Sequence, residues 1–310
     1  RGRTTTKQIL YLTWGTLHTE YRTSGHNIEE QVFLTEEPLN WLYDQDRRKI
    51  FWVEFIKPNI WRIDDYFMSS CYLVVGRDRA LAIDTGIGEG DLLALLKSLT
   101  SLPIDLAITH PHPDHMYHAD QFDRFYLHQD DIQEFTQNYV KINKAPLHLK
   151  SLAKMKWRPV DMSRAIPIED GTVIDLGGVQ IEVAVLAGHT SHHVVYIDYT
   201  HQCVFSGDAI GSGYVVGVTY PKGKHKETYT AYLDNLRHFI SRMPRINGFT
   251  YYGGHFIQEN SCNDDMQEDY LSGLSSFYTP LSQDTVYDMI ELCKQILSDE
   301  IDITKLREDG

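Results

Sequence analysis

The chain has 310 residues, 42% of them apolar, and a formal net charge of −14 from 43 acids against 29 bases. That apolar fraction supports a packed core and excludes a mostly disordered chain. The acidic balance argues against a nucleic-acid partner, whose affinity would come from neutralised phosphates, and against docking on an anionic membrane. No apolar run is long enough to span a bilayer. The four cysteines (Cys71, Cys203, Cys262 and Cys293) are scattered, with no C-x-x-C pair. They read as small buried thiols, not as a thiolate metal site, redox motif or disulfide framework. The expected location is the cytoplasm. Residue 1 is Arg, so a leader removed ahead of it is left open.

Residues 1–8 read as a polar arm. Residues 9–57 mix many aromatics with charges and read as an N-terminal extension that packs on the core or on a second subunit, which makes a homodimer one expectation. A compact α/β pattern then occupies 58–310, the expected catalytic domain. Residues 59–63 alternate like a strand. Residues 71–75 and 80–83 flank the turn at Gly76-Arg77-Asp78 as a hairpin that ends at Asp84-Thr85-Gly86. Leu92, Leu95, Leu96 and Leu99 form a helical stripe, and a buried strand follows at 104–108. This strand–helix–strand unit is a crossover with its functional loop at the strand's C-terminal end. A short strand is expected at 124–127 and a helix at 129–142. Residues 144–165 have no clean period and read as a loop-rich lid or substrate wall.

The second half repeats the logic. Strands are expected at 173–176, 179–185, 194–197, 203–205 and 248–252. A helix carrying Tyr229, Tyr232, Leu233, Leu236, Phe239, Ile240 and Met243 is stopped by Pro244, and residues 264–303 read as helical.

The chemistry concentrates in Thr109-His110-Pro111-His112-Pro113-Asp114-His115. Three imidazoles and a carboxylate suit a borderline divalent cation such as zinc, and two prolines argue against a regular helix. Later strands end in Gly188-His189-Thr190, Ser206-Gly207-Asp208 and Gly253-Gly254-His255. Glycine there lets the backbone turn and clears space, and C-terminal strand ends in an α/β sheet face one crevice. His189, Asp208 and His255 can therefore meet the 110–115 loop.

H-x-H-x-D-H, then G-H-T, then S-G-D, then G-G-H, each after a strand, resembles the metallo-β-lactamase superfamily over roughly residues 58–256. The resemblance implies an αββα sandwich of two mixed β-sheets flanked by helices, close to the glyoxalase II and lactonase branch. It implies one metal held by His110, His112 and His189, a second held by Asp114, His115 and His255, and Asp208 bridging them. The expected cofactor is two Zn2+, with Fe or Mn as alternatives. Asp84 matches a position that orients a metal-binding histidine, and His193 that of a metal-site neighbour.

The reaction implied is attack by a bridging hydroxide on a small ester, lactone or thioester, with Asp114 as the catalytic residue that orients the hydroxide and returns its proton to the leaving group. A persulfide dioxygenase-like iron enzyme, a phosphodiesterase and a metal-binding protein without turnover are the alternatives. A carboxylate at Asp208 counts against β-lactamase activity, and His112 in place of Glu counts against the flavin-linked di-iron members. The family pattern stops at Met116-Tyr117-His118 and at Ser191-His192-His193. Tyr66, Met68, Met116, His118 and Tyr214 are the expected substrate-pocket residues, with His192 a further candidate contact. The expected partner is a small-molecule substrate.

Overall fold

The computed structural model describes residues 41–43, 49–65, 69–88, 90–133, 160–211, 224–255 and 281–301. Among them, thirteen strands build two mixed sheets. The first contains β1 (Trp41–Tyr43), β2 (Lys49–Lys57), β3 (Ile60–Asp65), β4 (Ser70–Val75), β5 (Ala80–Ile83), β6 (Ile104–Ala107), β7 (Phe125–His128) and β8 (Ala165–Ile168) in that spatial order. Strands β1 to β5 are antiparallel, and β5 to β8 are parallel. The second sheet has the order β13 (Thr250–Gly253), β12 (Cys203–Gly207), β11 (Val194–Asp198), β10 (Gln180–Val185), β9 (Val173–Asp175), with only β12 and β13 parallel.

The period of two along each strand divides the core into layers. In β4, Cys71, Leu73 and Val75 face an outer core, while Tyr72 and Val74 face the other sheet. In β11, Val195 and Ile197 face outward, while Val194 and Tyr196 face inward. Both faces are buried, so these strands read as unbroken apolar runs. Helix α1 (Leu92–Leu99) lays Leu92, Leu95, Leu96 and Leu99 on the first sheet, and the Asp91 carboxylate caps its start by accepting the Ala94 N–H at 2.9 Å. Helices α3 (His225–Ile240) and α5 (Gln283–Leu297) cover the second sheet. Two single turns, α2 (Pro113–Met116) and α4 (Met243–Ile246), complete the helices named in this part of the chain. The layers run helix, sheet, sheet, helix, which is the αββα sandwich expected from the sequence.

Hydrogen bonds tie the two sheets at both ends. At one end the Arg77 and Asp78 N–H groups donate to the Gly177 and Leu176 carbonyls at 3.0 Å each. Gly76 is required there, because a Cβ would come within 2.2 Å of the Leu176 carbonyl oxygen. At the other end Val194 N–H donates to the Thr109 carbonyl at 3.0 Å, and the Tyr196 hydroxyl donates to the Ile108 carbonyl at 2.8 Å.

Several local expectations change. The boundary drawn after residue 57 cuts a hairpin, since Lys57 pairs with Ile60 and β2 runs the length of β3. Residues 49–57 thus belong to the first sheet; residues 1–40 lie outside the described residues. β8 falls at the end of the 144–165 stretch read as a loop, and most of that stretch also lies outside the described residues. Pro113 does not prevent helix. It occupies the first position of α2, where its missing N–H costs nothing. Helix α3 ends at Ile240, and Pro244 stands at the second position of the separate turn α4, which begins at Met243. Cys71, Cys203 and Cys293 are buried free thiols, as expected; Cys262 lies outside the described residues. Among the described residues, no helix is long and apolar enough to cross a membrane.

Phe205 is fully buried between the sheets, with ring centroids 5.0 Å from Tyr72 and 5.7 Å from Tyr252. Phe205→Ala is expected to cost about 3–5 kcal/mol in urea unfolding. Val173→Ala, at a 54% exposed position of β9, is expected to stay within about 0.5 kcal/mol.

Candidate metal centre

The 109–116 segment leaves β6 and turns at once into α2, so its side chains gather at the C-terminal end of the parallel strands. The loops after β10, β12 and β13 arrive at the same end. All seven residues expected as metal ligands meet here, and they form three overlapping donor groups. These are His110 with His112 and His189; Asp114 with His115 and His255; and His110 with His115 and Asp208.

Asp208 lies among all of them. Its Oδ2 is 3.4 Å from His189 Nε2, 3.5 Å from His255 Nε2 and 3.9 Å from His110 Nε2, and its Oδ1 is 3.5 Å from His115 Nε2. Asp114 Oδ2 is 3.3 Å from His255 Nε2 and 3.6 Å from His115 Nε2. His112 Nδ1 and His189 Nε2 are 3.0 Å apart. His110 Nε2, His115 Nε2 and Asp208 Oδ1 are buried and have no partner with hydrogen-bond geometry. Native proteins leave few such groups unsatisfied, and a cation among them would engage all three. The donor set of imidazoles and carboxylates without thiolate suits Zn, Fe or Mn. The residues therefore fit a bound metal.

Two glycines make the gathering sterically feasible. Gly207 has φ +49°, and a Cβ there would lie 2.5 Å from Thr109 Oγ1 and 2.9 Å from His193 Nε2. At Gly254 a Cβ would lie 2.4 Å from Asp208 Oδ1 and 2.7 Å from His115 Cε1. No larger residue fits beside these donors without moving them.

Asp84 fixes which ring nitrogens face the centre. It sits at the left-handed φ of 58° just after β5. Its Oδ1 accepts the Thr109 N–H at 2.7 Å, and its Oδ2 accepts the Thr109 hydroxyl at 2.7 Å and His115 Nδ1–H at 2.9 Å. The Thr109 hydroxyl has one hydrogen, which goes to Asp84. Its oxygen, 3.1 Å from His110 Nδ1, must therefore accept from that nitrogen. Both His110 and His115 are thus protonated on Nδ1, which leaves Nε2 as the nitrogen facing the centre, the one a bound cation would take. His193 stacks on His110, with centroids 4.4 Å apart and planes at 24°, and donates Nε2–H to the Ser206 carbonyl at 3.0 Å.

Electrostatics divides the histidines. Burial pushes His110 and His193 well below the ordinary histidine range, lowers His112, and pushes His189 down to about 4. Burial would also lower His255, but Asp208 and Asp114 outweigh it and push it up to about 10. His115 is raised in the same way by Asp208, Asp114 and Asp84 against the effect of burial. Burial opposes the charged forms of Asp114 and Asp208, yet neighbouring His115 and His255 hold both below the usual carboxylate range. The carboxylates pull cationic charge into this space.

The remaining expected site residues separate. Met116 is fully buried in the outer core against the first sheet, so it is a packing residue and does not wall a pocket. His118 is also buried: Gln121 Nε2 donates to its Nδ1 at 3.1 Å, and its backbone N–H donates to Thr85 Oγ1 at 3.1 Å. It braces α2 and is not an open contact surface. Tyr66, Met68 and Tyr214 lie outside the described residues. Two residues without a sequence-based role now have one. Thr109 relays Asp84 to His110. Asp65 accepts N–H groups from Ile87 at 2.6 Å and Ser69 at 3.1 Å, which joins the Asp84 loop to the residue bridged with His255. The only hint in the sequence was the Asp64-Asp65 pair closing an apolar strand.

The sequence profile described as the metallo-beta-lactamase superfamily matches residues 64–255. The metallo-beta-lactamase fold-containing protein ST1585 of Sulfurisphaera tokodaii is 24% identical over 201 residues, covering 60% of this chain and 73% of that protein. The acyl-coenzyme A thioesterase MBLAC2 of Gallus gallus is 27% identical, covering 48% of this chain and 60% of that protein. The hydroxyacylglutathione hydrolase GloC of Haemophilus influenzae is 23% identical, covering 52% and 75%. Among solved structures, DIM-1 metallo-beta-lactamase superposes with a TM-score of 0.54 at 15% identity, covering 80% of this chain and 98% of that one. A metallo-beta-lactamase from Pontibacter korlensis gives 0.53 at 14%, covering 79% and 99%.

Asp84→Ala removes the acceptor for both Thr109 and His115. It is expected to weaken metal retention by about 10–100-fold in a chelator competition assay. Thr109→Val, which removes only the relay to His110, is expected to weaken it less.

Proposed function

This chain belongs to the metallo-beta-lactamase superfamily, and on that premise we propose that it is a metal-dependent hydrolase of a small-molecule ester, lactone or thioester, with a thioester as the favoured substrate. The observation that carries the reading is the intact set of donors that includes Asp208, seven side chains from four segments of chain meeting at one end of the sandwich. The thioester preference is supported by two different relatives, one an acyl-coenzyme A thioesterase and the other a hydroxyacylglutathione hydrolase.

In this reading His110, His112 and His189 would hold one ion and Asp114, His115 and His255 the other, with Asp208 the carboxylate shared between them. Zinc is the favoured metal. Two such ions, when bound, would acidify a water molecule and polarise an acyl oxygen. The chain's own part is positional and protic. Asp84 locks the tautomers of His110 and His115, so Nε2 of each faces the centre before substrate arrives. Asp114 is the most open of the carboxylates, with a side chain 33% exposed against 4% for Asp208. It orients the attacking water, takes its proton, and returns that proton to the departing thiolate or alkoxide. Ser206 is no competing nucleophile, because it is buried and its hydroxyl donates to backbone carbonyls.

The test is metal analysis of the purified chain together with a panel of acyl thioesters, lactones and phosphodiesters. Turnover of a thioester with zinc bound is expected. Asp114→Asn is expected to lower kcat by at least about 100-fold while metal is retained in part. His255→Ala is expected to lose both metal and activity. Full activity in both variants would sink the mechanism. Iron content with oxygen uptake on a persulfide would replace it with the dioxygenase alternative.

A further inference from the structure

The loops that carry His189 and Asp208 leave β10 and β12, and β11 lies between those strands. Strands two apart in a sheet stand roughly 10 Å from each other, yet His189 Nε2 and Asp208 Oδ2 approach to 3.4 Å. Something must hold the two loops toward each other. One tie is the bond from the His193 ring to the Ser206 carbonyl. A second, closer to both donors in the chain, comes from helix α3. Tyr232 and Asn235 share one face of that helix, at i and i+3. The Tyr232 hydroxyl donates to the Ala209 carbonyl at 2.9 Å. The Ala209 N–H donates to the Ser206 carbonyl at 3.1 Å, so the residue after Asp208 is held at both of its polar groups. The Asn235 side-chain amide donates to the Ala187 carbonyl at 2.9 Å, just ahead of Gly188 and His189. Gly188 itself lies against the Tyr232 ring, where a Cβ would come within 2.1 Å of Cε2 and 2.2 Å of Cδ2.

We propose that Tyr232 and Asn235 are positioning residues of the metal centre: from one face of α3 they fix the loops of His189 and Asp208, and with them the separation of these two donors. His189 belongs to one donor group and Asp208 to another, so the helix sets a spacing between groups and not only within one. The smallness of Gly188 follows from the tyrosine. Only without a Cβ there does the ring pass the His189 loop and reach Ala209 beyond it. Tyr232 is buried, and burial holds its hydroxyl well above the ordinary tyrosine range, so it stays a donor at every working pH. Deleting that hydroxyl takes away the partner of a buried carbonyl, a loss the loop can meet only by moving. The assignment rests on the reading of the seven donors as a metal site, and it adds residues that touch neither ion nor substrate.

The experiment strips the full chain with chelator and reloads it with Co2+. It records the visible absorption of the bound ion, its retention against chelator, and the urea midpoint of the stripped chain. Tyr232→Phe and Asn235→Ala each delete one donor to a loop carbonyl. Both are expected to weaken cobalt retention by about tenfold or more and to shift the visible bands, which follow ligand geometry. Leu236→Ala cuts a buried apolar side chain from the same helix. It is expected to lower the urea midpoint and leave the bands in place. Bands and retention unchanged in Tyr232→Phe and Asn235→Ala, or moved as far by Leu236→Ala, would overturn the positioning role while the metal reading stands. A wild type that takes up no cobalt would overturn both.

Discussion

The centre depends on one carboxylate. Asp84 spends both oxygens on three donors: the Thr109 backbone, the Thr109 hydroxyl and His115 Nδ1. Through the Thr109 hydroxyl it also settles His110. Two imidazoles from different donor groups thus take their orientation and tautomer from one buried residue. A buried carboxylate holding this many hydrogen bonds is compensated for its desolvation, and each of its partners is fixed in turn. The left-handed backbone at Asp84 belongs to the same arrangement, since it turns the chain at the end of β5 so that the side chain meets the neighbouring strand's loop.

Around this hub the two sheets contribute unequal parts. The first supplies Asp84 and the 110–115 donors from adjacent parallel strands. The second supplies His189, Asp208 and His255 from loops that follow its own strands. Glycines at 207 and 254 make the approach possible, because side chains there would strike Thr109, His193, Asp208 or His115. The charge pattern follows from the packing. Burial outweighs Asp208 at His110 and His189, which lose their protons, while His115 and His255, which face Asp114 as well as Asp208, gain affinity for theirs.

Much of this was legible in the sequence, because chemistry and backbone left coincident marks. The seven donors follow apolar runs and mostly stand beside glycine or proline, which signals side chains gathered at strand ends. The layers were legible for the same reason: strands such as β4, β5 and β11 are buried on both faces and leave unbroken apolar runs. Where the marks were absent, reading failed. β2 mixes Lys49, Glu54 and Lys57 with aromatics, so its period was hidden until pairing with β3 revealed it. Met116 looked like a pocket residue because it follows the motif directly. One turn of helix rotates it into the outer core, a change that spacing alone does not show. The Thr109 relay was invisible, since a threonine before a histidine has no distinctive signature.

The ties between the sheets at opposite ends have a mechanical consequence. One set joins the 76–78 turn to Leu176 and Gly177, and the other joins Ile108 and Thr109 to β11. A sandwich fastened at a single end could open like a hinge or slide one sheet across the other. Fastened at both, it resists shear as well as opening, and donors on separate sheets keep a constant spacing. Adaptation to ligands of different size must then come from the loops around the rim, while the frame behind them stays a rigid vice.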